Sequence, residues 1–587
     1  MTRICSGYAA GVPRCRRALA IAVMFLLATG GVLGGTAAVG FGQKRQESDG
    51  RSDPLKGSAC VARTRDGQIQ GTLSSTGASC AYKGIPYAAP PVGEFRFRAP
   101  APPASWSDIR AATAYGPECS ANEDCLYLNV WTPRTRVHDA ALPDKDDLPV
   151  IVLMHPGGHV MGSGAQALYN VIVTPQPNAP PSVVLWFVSF DGQYVAETHH
   201  SIVVTINYRY GLLGYLAHES LAAEDPNSST GNYGLLDQIM ALNWVHDNIQ
   251  HVGGDKGRVS LYGQSVGGMD ICSLLTTPLR STDLFQSAII SSEPGCNRPT
   301  KQWVERNVGN VAVANVGCAG ASDIPGCLRS LSASQIRSSF AIGSPTWRIG
   351  SNVDGYALRE DPMAAIQGGR YLQMPIMQGG AADEYSSLAG ALFAVLGPVR
   401  TDDDYRRHIR HWFAVYGGTV ADDVLARYPS DTFGPPVVTF IRVMTDALET
   451  AVARRVARAL ANIQSEPVRR FVFTRGLANA PFTSFGAQHG IDLPFAFHNL
   501  NITAINGQVY TPTTRELGFA DIVSGYWARF IATGDPNGGG TTTWPLYDLS
   551  SETYFNFGNT ISTGDRWRDA DCDFWDATVP VPYVYTP

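Results

Sequence analysis

The stretch Arg258-Val-Ser-Leu-Tyr-Gly-Gln-Ser265-Val-Gly-Gly-Met-Asp-Ile-Cys-Ser-Leu-Leu275 reads as a strand, a sharp turn and a helix. Arg258 to Tyr262 is the apolar strand, Gly263-Gln-Ser-Val-Gly267 the turn, and Met269 to Leu275 an apolar helical run. A Gly-x-Ser-x-Gly turn between a strand and a helix is the context of a nucleophile elbow. Glycine on either side permits a bend too tight for a Cβ, and the serine hydroxyl is lifted clear of the sheet. The helix that starts at the serine presents free N–H groups and a dipole that favour negative charge there. Ser265 is therefore the candidate nucleophile, and its flanks predict an α/β fold.

The neighbouring segments extend that reading. Leu148-Pro-Val-Ile-Val-Leu-Met154 and Ser201-Ile-Val-Val-Thr-Ile206 are continuous apolar runs, as expected of strands covered on both faces. Leu126 to Trp131 alternates as a strand, and Met374 to Gly379 reads as another. Leu235 to Ile249 carries apolar residues at helical spacing. Strands alternating with helices predict a large, mostly parallel central sheet with helices on both faces.

A serine hydroxyl needs a base to take its proton, and the base needs an acid to orient it and stabilise its charge. On this architecture the chain order is Ser, then Asp or Glu, then His. Of the twelve histidines, only His408, His411, His489 and His498 lie late enough. His408 and His411 belong to a charged helical pattern, Asp402 to Trp412, that reads as a solvated face. His498 follows an apolar segment and reads as structural. His489, in the Gly-flanked loop Phe485-Gly-Ala-Gln-His-Gly490, is the candidate base. Asp383 and Glu384, just beyond the apolar run Met374 to Gly379, both stand where an acid belongs, and spacing does not separate them. The turn His155-Pro-Gly-Gly-His159 follows an early core strand; Gly157 and Gly158 can offer bare N–H groups to an oxyanion, and Val266 a third.

Composition bounds the rest. A hydrophobic fraction of 44% with 16% charged residues is that of a globular protein with a large core. A net charge of −6 without basic blocks leaves no stripe for nucleic acid. Arg3, Arg14, Arg16 and Arg17 precede the uncharged run Ala18 to Phe41, so residues 1–42 read as a secretory signal or as a retained membrane anchor. Residues 43–57 form a polar linker and 58–587 a single domain. Export suits the cysteines: Cys60 with Cys80, Cys119 with Cys125 and Cys318 with Cys327 are close pairs expected to be disulfides. Cys272 reads as a free core cysteine, and Cys296 and Cys572 as able to pair. No cysteine has metal-site spacing, so neither metal nor cofactor is expected. Asn227-Ser-Ser and Asn501-Ile-Thr are glycosylation sequons.

Further stretches carry a resemblance: Gly84-Ile-Pro-Tyr-Ala-Ala-Pro-Pro, Glu123-Asp-Cys-Leu-Tyr-Leu-Asn-Val, Asn207-Tyr-Arg-Tyr-Gly, Gly231-Asn-Tyr-Gly-Leu-Leu-Asp-Gln, Asn248-Ile-Gln-His-Val-Gly-Gly-Asp255 and Thr533-Gly-Asp-Pro-Asn537. In these the chain resembles the type-B carboxylesterases, the family that includes cholinesterases and large fungal lipases. The resemblance implies an α/β-hydrolase fold, Glu384 as the acid, His489 as the base, and Gly157, Gly158 and Val266 as the oxyanion hole. It also implies Ser292 as a serine behind the triad. The expected activity is hydrolysis, through an acyl-enzyme, of short- to medium-chain or aryl carboxylic esters. A catalytically inactive cholinesterase-like binding protein and a lipase for longer acyl chains are the alternatives.

The chain departs from that family pattern at several points. Pro156 replaces a glycine that the family does not use as a donor. His159 stands where an aromatic is usual, and is expected to narrow or polarise the pocket. Gln264 replaces the glutamate before the nucleophile, which should weaken any preference for cations. Tyr385 replaces a glycine after the acid. The Cys119–Cys125 loop is too short to carry the family's lid. Tyr169 to Trp186 reads as an insertion that either replaces that wall of the pocket or is a surface excursion.

Overall fold

A computed structural model describes residues 60–134, 148–173, 182–340, 349–479, 486–504 and 507–579; the signal or anchor segment and the linker lie outside them. Residues from 59 onward form one compact unit. Its frame is an eleven-stranded sheet. In chain order the strands are β1 (Thr72–Leu73), β2 (Ser79–Pro86), β3 (Tyr127–Pro133), β4 (Leu148–Met154), β5 (Ile202–Ile206), β6 (Gly254–Gln264), β7 (Ser287–Ser291), β8 (Ile376–Ala381), β9 (Val468–Phe473), β10 (Tyr554–Phe557) and β11 (Ile561–Gly564). Across the sheet they run β11-β10-β9-β8-β7-β6-β4-β5-β3-β2-β1. The seven from β10 to β5 are mutually parallel, and antiparallel strands flank them on both edges.

Alternation along the central strands divides the core in two. In β4, Val150 and Val152 join one cluster, together with Leu235, Ile239 and Leu242 of α1 (Tyr233–Asn248) and Ile271 and Leu274 of α2 (Val266–Thr276). Ile151 and Leu153 join another, with Phe471 and Phe473 of β9 and Phe519, Tyr526 and Trp527 of the long helix Thr514–Thr533. Helices thus cover both faces, which is why β4 and β5 are buried along their whole length. Register then levels the strand ends: Met154 of β4 pairs with Gly263 of β6, Gln264 with Ser291 of β7, and Ser291 with Gly379 of β8. The C-terminal ends of the parallel strands therefore open on one rim.

Two sequence expectations are corrected. Cys272 is not free: it is disulfide-bonded to Cys296, and Cys572 is the buried free thiol. The short segment after β7 brings Cys296 back over α2, an adjacency that follows from the fold and not from spacing. The other three pairs form as expected. In helix α3 (Asp402–Phe413) His408 is not on a solvated face: Tyr405, His408, Ile409 and Phe413 are buried as one stripe, and His408 Nε2 meets the Gly397 carbonyl at 2.8 Å. His498 is structural, stacked on Tyr194 and 3.1 Å from Asp521.

The insertion forms an antiparallel hairpin, Gln166–Val173 with Ser182–Ser189. Its second strand pairs with Thr503–Ala504, and its first packs on the helix Tyr385–Leu396. Among the described residues no helix is long and apolar enough to cross a membrane, and no cluster suited to a metal ion is present.

Candidate active site

Ser265 closes β6 and opens α2 with φ 59° and ψ −126°, a strained conformation for a residue with a side chain. The strain is held from both sides. The Ser265 N–H donates to the Ser291 carbonyl at 2.9 Å, and its own carbonyl accepts from Gly268 at 2.9 Å and Met269 at 3.1 Å. A Cβ at Gly263 would overlap the Gly267 carbonyl, and one at Gly267 would overlap that of Met154. Both glycines are thus required by close backbone approach, and the second seats the elbow against the end of β4.

Past β8, the two acids separate by role. Asp383 exchanges bonds with the loop that carries the histidine: its N–H donates to the Ala487 carbonyl at 2.9 Å, and its Oδ2 accepts the Ala487 N–H at 3.0 Å. Burial raises the Asp383 pKa, against the lowering charge of Arg568. Glu384 faces the ring: Oε2 lies 2.5 Å from His489 Nδ1, and Oε1 accepts the Ala381 N–H at 2.5 Å. Both partners are buried, at 1% and 2% exposure, so the contact is shielded from water. With its Nδ1 proton directed at Glu384, the ring turns Nε2 as an acceptor toward the end of β6.

There it meets Gln264, whose amide nitrogen is 3.2 Å from Nε2. Among the described residues no hydrogen bond joins the Ser265 hydroxyl to His489; the amide one residue earlier in the chain takes that position. Catalytic hydrogen bonds commonly tighten only when substrate is bound. Ser265, Gln264, His489 and Glu384 nevertheless lie in one cluster at the strand ends.

Beside the elbow, Gly157 and Gly158 have φ 124° and 65°, and Val266 is the first residue of α2. The Gly157 carbonyl turns back to accept from Val160 and Met161. None of the N–H groups of Gly157, Gly158 and Val266 donates to an acceptor among the described residues. The loop is anchored through His155, which stacks on Tyr208 at 4.2 Å and accepts the Tyr208 hydroxyl on its carbonyl at 2.7 Å. Burial lowers the His155 pKa to about 4 and keeps the ring neutral. His159, expected to shape the pocket, is instead 2% exposed and bonded to Asp270.

Two acids behind the cluster, Glu293 and Asp492, escaped the sequence reading. Ser292, with φ 49°, donates its N–H to the Gly379 carbonyl at 2.7 Å, and Glu293 lies beside it. Glu293 is fully buried, takes both its oxygens to Gln378 Nε2 at 3.1 Å, and has its pKa raised to about 8, chiefly by desolvation. Asp492, three residues past His489, accepts the Tyr262 hydroxyl at 2.5 Å; burial raises its pKa against that hydrogen bond. The signal for both was present: an acid immediately beyond a core strand, and one a helical turn past the candidate base.

Comparison with known proteins agrees with this fold. A family model described as the carboxylesterase family matches residues 58–575. A fumonisin B1 esterase of Sphingopyxis macrogoltabida is 32% identical over 526 residues, covering 86% of this chain and 87% of that protein. A para-nitrobenzyl esterase of Bacillus subtilis (strain 168) is 30% identical, covering 83% and 92%. Among solved structures, a carboxylesterase of Geobacillus stearothermophilus superposes with a TM-score of 0.70 at 28% identity, over 88% of this chain and 99% of that one. With the sheet order and the elbow already in place, the chain belongs to the carboxylesterase family and is a carboxylesterase of α/β-hydrolase fold.

Proposed function

We propose that this carboxylesterase works through an acyl-enzyme formed on Ser265. The hydroxyl attacks the ester carbonyl as His489 Nε2 takes its proton, and Glu384 stabilises the imidazolium that results. The oxyanion is received by the N–H groups of Gly157, Gly158 and Val266. His489 returns its proton to the leaving alcohol, then activates the water that cleaves the acyl group from Ser265. The observation that carries the reading is the 2.5 Å Glu384–His489 contact at the end of the strand bearing the elbow. Before attack, Nε2 must exchange the Gln264 amide for the hydroxyl of Ser265, the next residue along the chain.

The preferred substrates in this reading are short- to medium-chain or aryl esters. The six-residue separation of Cys119 and Cys125 leaves no room for a long lid, and the name of the para-nitrobenzyl relative supports an aromatic ester. The hairpin of 166–173 and 182–189 supplies the missing wall in part, being packed on the helix that begins directly after Glu384. Four disulfides support an oxidising, extracellular location, with residues 18–41 as cleaved signal or membrane tether. The test is to quench p-nitrophenyl ester turnover in acid and weigh the peptides. The expected result is an acyl adduct on Ser265, formed fastest from esters of two to eight acyl carbons. An adduct elsewhere, or rates still rising at sixteen carbons, would overturn the reading.

A further inference from the structure

His159 directly follows Gly157 and Gly158 and, like them, has a left-handed backbone, with φ 54°. Its Nδ1 lies 2.9 Å from the Ile349 carbonyl oxygen, and its Nε2 3.0 Å from both carboxylate oxygens of Asp270. Asp270 stands on α2, the helix that Ser265 opens, and is fully buried. Gln238 of α1 donates to its Oδ2 at 2.7 Å. Tyr215 lies against the imidazole at 4.9 Å between ring centres, and Gly350 comes so close that a Cβ there would lie 3.0 Å from Nδ1. The His159 carbonyl is held too, by the Gly211 N–H at 2.6 Å.

Both ring nitrogens therefore face acceptors, whereas a neutral imidazole has one N–H to give. A ring with a proton on each nitrogen satisfies both. It also neutralises Asp270, which would otherwise be an isolated buried charge, a strongly unfavourable state. The other titratable or charged groups around the pair do not supply that neutralisation. Burial holds Tyr208 and Tyr215 protonated and His155 neutral. Arg298 directs its guanidinium to Ser351 and to backbone carbonyls of Gly295, Asn297 and Met269.

We propose that the ion pair of His159 with Asp270 is the positioning contact of the active site: it locks the loop carrying the Gly157 and Gly158 donors onto the helix that carries Val266. This rests on the oxyanion-hole reading above. One side of the hole is a turn of three consecutive left-handed residues and the other a helix terminus. Gly267 seated on the Met154 carbonyl fixes their near edge. The pair fixes the far edge, so that the three N–H groups hold one geometry as charge develops on the substrate oxygen.

The experiment compares His159→Gln, Asp270→Asn and the double variant with wild type. The readouts are kcat, KM and affinity for an alkyl trifluoromethyl ketone, which forms an oxyanion on the nucleophile. Each single variant should lose roughly tenfold to a hundredfold in kcat, with KM within about threefold and inhibitor affinity falling in step with kcat. The double variant should be no worse than the poorer single, because neither leaves a lone charge. Multiplying losses, or unchanged kcat in folded variants, would overturn the proposal. Nitrogen-15 spectra of histidine-labelled wild type provide a reading that needs neither turnover nor folded variants. The His159 Nε2 facing Asp270 should carry a proton in a hydrogen bond, and an unprotonated Nε2 would refute the contact. Ser265→Ala assayed alongside separates the two readings: turnover retained in that variant defeats the nucleophile assignment and leaves the spectra untouched.

Discussion

At position 264 the chain carries an amide at 3.2 Å from His489 Nε2, the proposed base. A carboxylate there would favour the charged imidazolium. Gln264→Glu should therefore move the acid limb of the kcat/KM profile to higher pH by on the order of one unit, as measured with a p-nitrophenyl ester. An unmoved limb would remove Gln264 from contact with the base. Glu293 offers a second residue-scale test through stability. Its folded pKa, about 8, lies above the ordinary value of 4.5, so below pH 4.5 both states are protonated and there is no penalty. As pH rises toward 8 the unfolded state ionises while the folded state resists. Stability falls by up to about 1.4 kcal/mol per pH unit across that window, then levels off. Glu293→Gln should abolish this component, so its urea midpoint should gain on wild type between pH 5 and pH 8. A constant difference between the two proteins would contradict the burial of an ionisable group there.

Among the elements, the elbow was fully legible: the glycines at 263 and 267 announce a turn whose close approaches the backbone bears out. Of the parallel strands, β4 and β5 were legible because both are continuous apolar runs buried on both faces, whereas β7, β9 and β10 went unread: Ser287–Ser291 and Tyr554–Phe557 are short, and Val468–Phe473 carries two arginines. Which of Asp383 and Glu384 meets the ring was not legible from spacing, since they are adjacent; the choice depends on Asp383 being drawn off by Ala487. His408 was misread because charge dominates its segment, although Tyr405, His408 and Ile409 already stand at helical intervals. His159 was visible as a departure, but its partner lies across the rim on another element. The hairpin belongs to this scale as well. Deleting residues 170–186 should change relative rates along a series of p-nitrophenyl esters by several-fold, most for the longer chains. Unchanged ratios would make the hairpin a surface excursion.

Over the whole molecule, the path of the chain after β7 could not be read from sequence, and so neither could the Cys272–Cys296 bond that fastens it to α2. This crosslink, between cysteines 24 residues apart, ties the segment after β7 to α2, so its removal should be felt in stability before chemistry. Cys272→Ala/Cys296→Ala should lose about 2–4 kcal/mol in urea unfolding while keeping its pH profile. A variant as stable as wild type would mean that the two sulfurs are not bonded in the folded protein. The sheet brings residues 265, 384 and 489 to one rim, and the account stands or falls with the serine among them. The direct measurement is kcat/KM of Ser265→Ala on p-nitrophenyl butyrate, with folding checked by circular dichroism. The expected result is a loss of about 10⁴-fold or more; a folded Ser265→Ala enzyme with wild-type turnover would show that Ser265 is not the nucleophile.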